Sequence, residues 1–75
     1  MRTKQEIFKD FETLGYKIID QAMLCVLVKN NKDKIHISKY DKDYSKYNCQ
    51  TKEPLYITLQ EHKLLNELFE VIFND

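Results

Sequence analysis

Two Thr-x-x-Glu sequences bracket this chain and constrain its fold more than any other feature. Thr3-Lys4-Gln5-Glu6 stands near the front, and Thr58-Leu59-Gln60-Glu61 lies near the end. Each precedes apolar residues at helical spacing, so each marks a helix start with a mechanism. The threonine hydroxyl accepts from an unpaired backbone N–H of the first turn, and the glutamate reaches back to the cap residue's own N–H. Between them lies a β-rich middle, which gives an order of helix, strands, helix.

The first helix is predicted from about Lys4 to Leu14. Ile7, Phe8, Phe11 and Leu14 form one narrow apolar stripe with charged residues elsewhere. Gly15, the only glycine, sits where a left-handed residue ends a helix cheaply. Tyr16–Ile19 and Met23–Val28 then read as strands. Asp20-Gln21-Ala22 is either a turn between them or the bend of one longer strand. Asn30-Asn31-Lys32-Asp33 is a polar turn cluster, Ile35–Ser38 alternates as a half-buried strand, Asp41-Lys42-Asp43 is the next turn, and Tyr44–Cys49 is a fourth strand. Short polar connections favour antiparallel neighbours, because a parallel pair needs a long crossover. Thr51–Pro54 is a loop, Leu55-Tyr56-Ile57 an extended entry, and Leu59–Phe73 the second helix.

Two features carry more apolar surface than this plan needs. On the second helix Leu64, Leu65, Leu68, Phe69, Val71, Ile72 and Phe73 spread over roughly 200° of the circumference. Either the helix is wedged between sheet and first helix, or another molecule covers part of it. The strand Met23–Val28 is apolar on both faces, as a strand covered on both sides would be. With helices on one face, half of those side chains need a lid, and self-association would supply it.

Seventy-five residues make one domain, spanning 1–75, near the lower size limit for folding without staples. A 43% apolar fraction with five Tyr and four Phe suffices for one small core. The zero formal charge hides an uneven spread: residues 29–52 hold seven Lys against three Asp, and residues 53–75 hold one Lys against five acids. Two cysteines, Cys25 and Cys49, are too few for a disulfide framework, and no stretch resembles a signal peptide. The longest uncharged run, Gln21–Val28, is far too short to span a bilayer. A reduced, cytoplasmic protein without membrane attachment is expected.

Chemistry-bearing residues are sparse. Cys25, His36, Cys49 and His62 stand ten or more residues apart, with no close pair to seed a metal site or a thiol–imidazole couple. Gly15 stands alone, so there is no phosphate-binding glycine loop. Glu67 and Glu70 belong to the solvated side of the second helix. Neither catalysis nor a cofactor is expected. Nucleic-acid binding has better material, since Lys39, Tyr40, Lys42, Tyr44, Lys46 and Tyr47 interleave cations with rings, as single-strand binders do on a sheet face. The bland alternative is an ordinary edge strand, for which Lys and Tyr are common residues. A second candidate is the wide apolar arc of the second helix, with Leu65, Phe69 and Phe73 as partner-binding residues. Its bland alternative is an arc that simply fills the core.

The string from Leu55 to Leu68 resembles the C-terminal end of small uncharacterised proteins encoded by phages and prophages of low-GC Gram-positive bacteria. Leu14-Gly15-Tyr16-Lys17 and Tyr40–Asn48 are similar to the same group. That resemblance implies a source and a fold, with no activity or site residues attached. Lys34-Ile35-His36-Ile37-Ser38-Lys39-Tyr40 and Tyr56-Ile57-Thr58-Leu59 also resemble, in pattern, sheet-plus-helix transcriptional coactivators that bind single-stranded DNA. The expected molecule is an α+β domain of order α-β-β-β-β-α, a four-stranded antiparallel meander with both helices on one face. Its expected role is a non-enzymatic interaction module binding a protein partner or itself as a homodimer. The alternative is a small single-stranded nucleic-acid binder using the Lys/Tyr strands.

Overall fold

A computed structural model describes residues 2–73. In chain order these form α1 (Lys4–Thr13), β1 (Tyr16–Asp20), β2 (Leu24–Lys29), β3 (Asp33–Ser38), β4 (Asp43–Asn48) and α2 (Leu59–Phe73). The strands make one antiparallel sheet of order β1-β2-β3-β4. The expected α-β-β-β-β-α architecture is the observed one.

Both helix starts use the predicted device. At α1 the Glu6 N–H donates to Thr3 Oγ1 at 3.3 Å while the Thr3 N–H donates to Glu6 Oε1 at 3.0 Å. At α2 the Glu61 N–H donates to Thr58 Oγ1 at 3.2 Å and the Thr58 N–H to Glu61 Oε1 at 2.9 Å. Gly15 ends α1 with a φ of +99°, its N–H on the Glu12 carbonyl at 2.9 Å. An added Cβ there would meet only the Lys29 side chain at 3.5 Å, an ordinary contact. The demand for glycine is therefore conformational rather than steric.

The open alternative at 20–22 resolves as two strands joined by a turn, one residue later than expected: Asp20 still pairs with Cys25, Gln21–Met23 make the connection, and the Gln21 N–H donates to the Leu24 carbonyl at 2.9 Å. Asn30 and Asn31, at φ 55° and 56°, turn β2 into β3 with the left-handed pair that matches strand twist. β3 begins two residues before the alternating stretch, because Asp33 pairs with Lys29 on one side and Asn48 on the other. Beyond β4 the chain doubles back along its outer edge. The Leu55 N–H donates to the Lys46 carbonyl and the Asn48 N–H to the Glu53 carbonyl, both at 2.9 Å.

Ile7, Phe8 and Phe11 of α1 and Leu64, Leu65 and Leu68 of α2 close over Tyr16, Cys25, Leu27, Ile35 and Ile37. Each large side chain fully buried there contributes about 1.5–3 kcal/mol relative to exposure. Both helices thus lie on one face of the sheet. Into this core α2 also inserts Glu61, which is 4% exposed. Its carboxylate accepts from the Tyr16 hydroxyl of β1 and from Lys46 Nζ of β4 at 3.0 Å, besides closing the cap. Burial alone would push the Glu61 carboxyl up; donation from Tyr16, the Thr58 N–H and Lys46 outweighs it and holds the group below its ordinary value. Burial, then the bond to Glu61, pushes the Tyr16 phenol up.

Two outcomes are expected. Gly15→Ala lowers stability by about 1–2 kcal/mol in urea denaturation, the cost of a left-handed L-residue. Glu61→Ala leaves Lys46 buried without its partner and costs about 3–5 kcal/mol. Because the folded Glu61 value is depressed, its stabilisation is complete above the unfolded carboxylate value and is lost as pH falls through the folded one. Urea midpoints followed into acid should show that loss in the parent and lack this part of it in Glu61→Gln.

Candidate interaction surface

Strand alternation and the register assign every sheet residue to a face. Tyr16, Ile18, Cys25, Leu27, Ile35, Ile37, Tyr44 and Lys46 face the helices. The outer face is read in rows across the strands. One runs Ile19, Val26, His36, Ser45; the next runs Lys17, Val28, Lys34, Tyr47; a third, at the end of the sheet, has Leu24, Ser38 and Asp43. No helix covers these rows, because both helices lie on the other side.

The outer face is divided. Its β1–β2 half is an apolar corner of Ile19, Leu24, Val26 and Val28, with Met23 beside it. Ile19 is 51% exposed and Met23 57%. Its β3–β4 half is polar and basic. There the Tyr47 ring lies between Lys34 Nζ and Lys52 Nζ, at 5.8 and 5.7 Å from its centroid. Scattered exposed apolar residues are ordinary, and a contiguous group is the informative case.

The six residues of the suggested nucleic-acid platform do not share a surface. Lys39 Nζ is held by Asp20 Oδ1 and the Gln21 carbonyl, each at 2.6 Å. Tyr40, 79% exposed, and Lys42 sit in the β3–β4 loop, with Lys42 Nζ 5.8 Å from the Phe73 ring. Tyr44 turns toward α2, edge-on to Phe69 at 5.1 Å and with its hydroxyl 3.1 Å from His62 Nδ1. Lys46 is buried on Glu61. Of the six, Tyr47 alone is a strand residue on the outer face.

The partner-binding set also moves inward. Leu65 is fully buried and belongs to the core, so the structure corrects its placement on an accessible face. Phe69 and Phe73 are half-buried and meet edge-to-face at 5.1 Å, with Tyr44 and Lys42 covering them. The wide arc of α2 is largely spent inside the molecule, since Val71 and Ile72 also pack against the core. Exposed apolar side chains remain at the start of α2, with Tyr56 and Leu59, and at the sheet, with Ile19 and Met23. The signal for the sheet surface in the sequence was the two-sided apolarity of Met23–Val28.

Beside the outer corner, at the β1 edge, a groove of about 720 Å³ runs between Gln5, Phe8 and Glu12 of α1 and the strand from Tyr16 to Asp20. A hollow of about 490 Å³ lies where Arg2 bridges Glu67, at 2.7 Å, and Asp10. Neither gathers a nucleophile with a base. Cys25 is buried under the helices and pairs with Ile37 in the ladder, while His36, the partner of Val26, is on the outer face and His62 is engaged with Tyr44. No group of three or more His, Cys, Asp or Glu able to hold a metal occurs among the described residues. Nor is any helix among them long and apolar enough to cross a membrane. No protein-family model, curated protein or solved structure matches the chain.

Burial, with a smaller push from Asp20, raises the Cys25 thiol to about 11. Cys49 lies partly exposed in the turn after β4. A thiol reagent at neutral pH is therefore expected to label Cys49 alone in the native protein, and Cys25 only after denaturation. Mass spectrometry of the labelled peptides checks this.

Proposed function

We propose that this chain is a non-enzymatic protein-interaction module, a phage or prophage accessory protein acting in the cytoplasm. The observation that carries the reading is the apolar corner on the helix-free face of the sheet, where Ile19 and Met23 are more than half exposed and Leu24 and Val28 partly exposed around a buried Val26. Contiguous apolar surface of this kind is retained where a partner occupies it. The resemblance of Leu55–Leu68, Leu14–Lys17 and Tyr40–Asn48 to phage-encoded chains supports the source. The nucleic-acid alternative loses its continuous platform, because Tyr44 and Lys46 are turned into the core and Lys39 is neutralised by Asp20.

Capture on the immobilised chain from a bacterial lysate, followed by titration of the purified captured protein, tests the reading. The parent chain is expected to bind, and Ile19→Glu to bind at least about tenfold more weakly. Because Ile19 is half exposed on an edge strand, that substitution should shift stability by no more than about 0.5 kcal/mol. Binding indifferent to Ile19→Glu overturns the reading. So does oligonucleotide affinity that falls steeply with salt, the mark of phosphate contacts.

A further inference from the structure

We propose that the β1 edge docks a second copy of this chain, β1 pairing antiparallel with its counterpart about a two-fold axis at Ile18. The inference rests on the interaction-module reading and names its partner. The bond from the Gln21 N–H to the Leu24 carbonyl, at 2.9 Å, identifies that couple as a hydrogen-bonded pair of the ladder. Such pairs alternate along antiparallel strands. Ile19 with Val26 and Lys17 with Val28 are therefore also bonded pairs, and the backbone groups of Ile18 and Asp20 point away from β2.

The same alternation at the far side of the sheet aims Lys46 and Asn48 outward. There Leu55 and Glu53 meet them, and Pro54 lies against the edge. The Tyr44 N–H is likewise engaged, by Asp43 Oδ1 at 2.7 Å. One edge is thus closed by the chain itself. At the other, the alternation turns the backbone groups of Ile18 and Asp20 outward from β1, the last strand of the sheet, with no further strand beyond them among the described residues. β1 holds no proline, and its register with β2 runs unbroken from Tyr16 to Asp20, so neither a missing donor nor a bulge blocks its edge; its one lysine, Lys17, is on the outer face. The groove against Gln5, Phe8 and Glu12 gives an incoming strand room beside that edge.

Charge selects the occupant. Lys4 Nζ sits 2.9 Å from Asp20 Oδ2, so α1 runs back along β1 with Lys4 at one end and Glu12 toward the other. A two-fold axis at Ile18 exchanges those ends. Lys4 of each copy then approaches Glu12 of the partner subunit, twice over, while Ile18 meets Ile18. A parallel arrangement would instead set Lys4 beside Lys4 and Glu12 beside Glu12. The surface is self-complementary in the sense an isologous dimer requires.

The test is sedimentation equilibrium of the full chain, made by chemical synthesis with and without N-methylation of the Ile18 amide. That amide makes no bond within the sheet and every side chain is kept, so circular dichroism should be unchanged. The parent is expected to be dimeric at roughly tens of micromolar, and the N-methylated chain to dimerise at least about tenfold more weakly. Glu12→Lys, an exposed position, should also weaken the dimer, more at low salt than at high. A parent that stays monomeric, or a dimer indifferent to N-methylation, overturns the proposal. Capture of a different protein through Ile19 is read separately, so failure of self-pairing and failure of the interaction module are distinct results.

Discussion

The carboxylate of Glu61 joins three parts of the molecule at a single point. It closes the first turn of α2, receives Tyr16 from one edge strand, and receives Lys46 from the other. Hydrophobic burial is non-directional, and an apolar arc as wide as that of α2 could meet the sheet at several rotations. Three donors converging on one buried acid single out one of them. Such an ion pair adds little net stability over an apolar substitute, while breaking it is costly. Its effect lies in which packing is chosen, and the surrounding Leu, Ile and Phe side chains supply most of the stability.

That choice determines what is left over. With Glu61 aimed at the sheet, Leu64, Leu65 and Leu68 follow it into the core and Phe69 falls against Tyr44. Arg2 then reaches across to Glu67 and fixes the start of α1 beside α2. Both helices are committed to one face. The opposite face of β2, as apolar as the covered one, receives no helix, and Leu24 and Val28 stay partly exposed there around a buried Val26.

Much of this was legible in the sequence. Both capping boxes and the single glycine placed α1 and α2 to within a residue, because caps and left-handed positions have side-chain signatures. Strand ends were less legible: Asp33 is in β3 through backbone pairing, which leaves no mark on hydropathy. The strap formed by Glu53 and Leu55 was invisible for the same reason, with Pro54 its only hint. The faces of Tyr44 and Lys46 depend on a register parity that a polar strand does not reveal, so the Lys/Tyr set looked continuous when it was not. Glu61 had a detectable signal. It stands three, four and seven residues before Leu64, Leu65 and Leu68, on the apolar side of α2, and its capping role had already accounted for it.

The open edge and the open face are neighbours. The apolar corner belongs to β1 and β2, beside the open edge, whereas the strapped edge adjoins the basic half with Lys34, Tyr47 and Lys52. Protection is thus concentrated on one side of the sheet and demand on the other. Pairing through β1 would answer the backbone demand of Ile18 and Asp20 and bring the apolar corners of two copies into one surface, with Ile19 from each near its centre. Lys34 and Lys52 would then lie at the two far ends, where charge keeps further strands from adding. A closed two-fold assembly of this kind stops at two copies, since joining the open edges leaves only strapped ones.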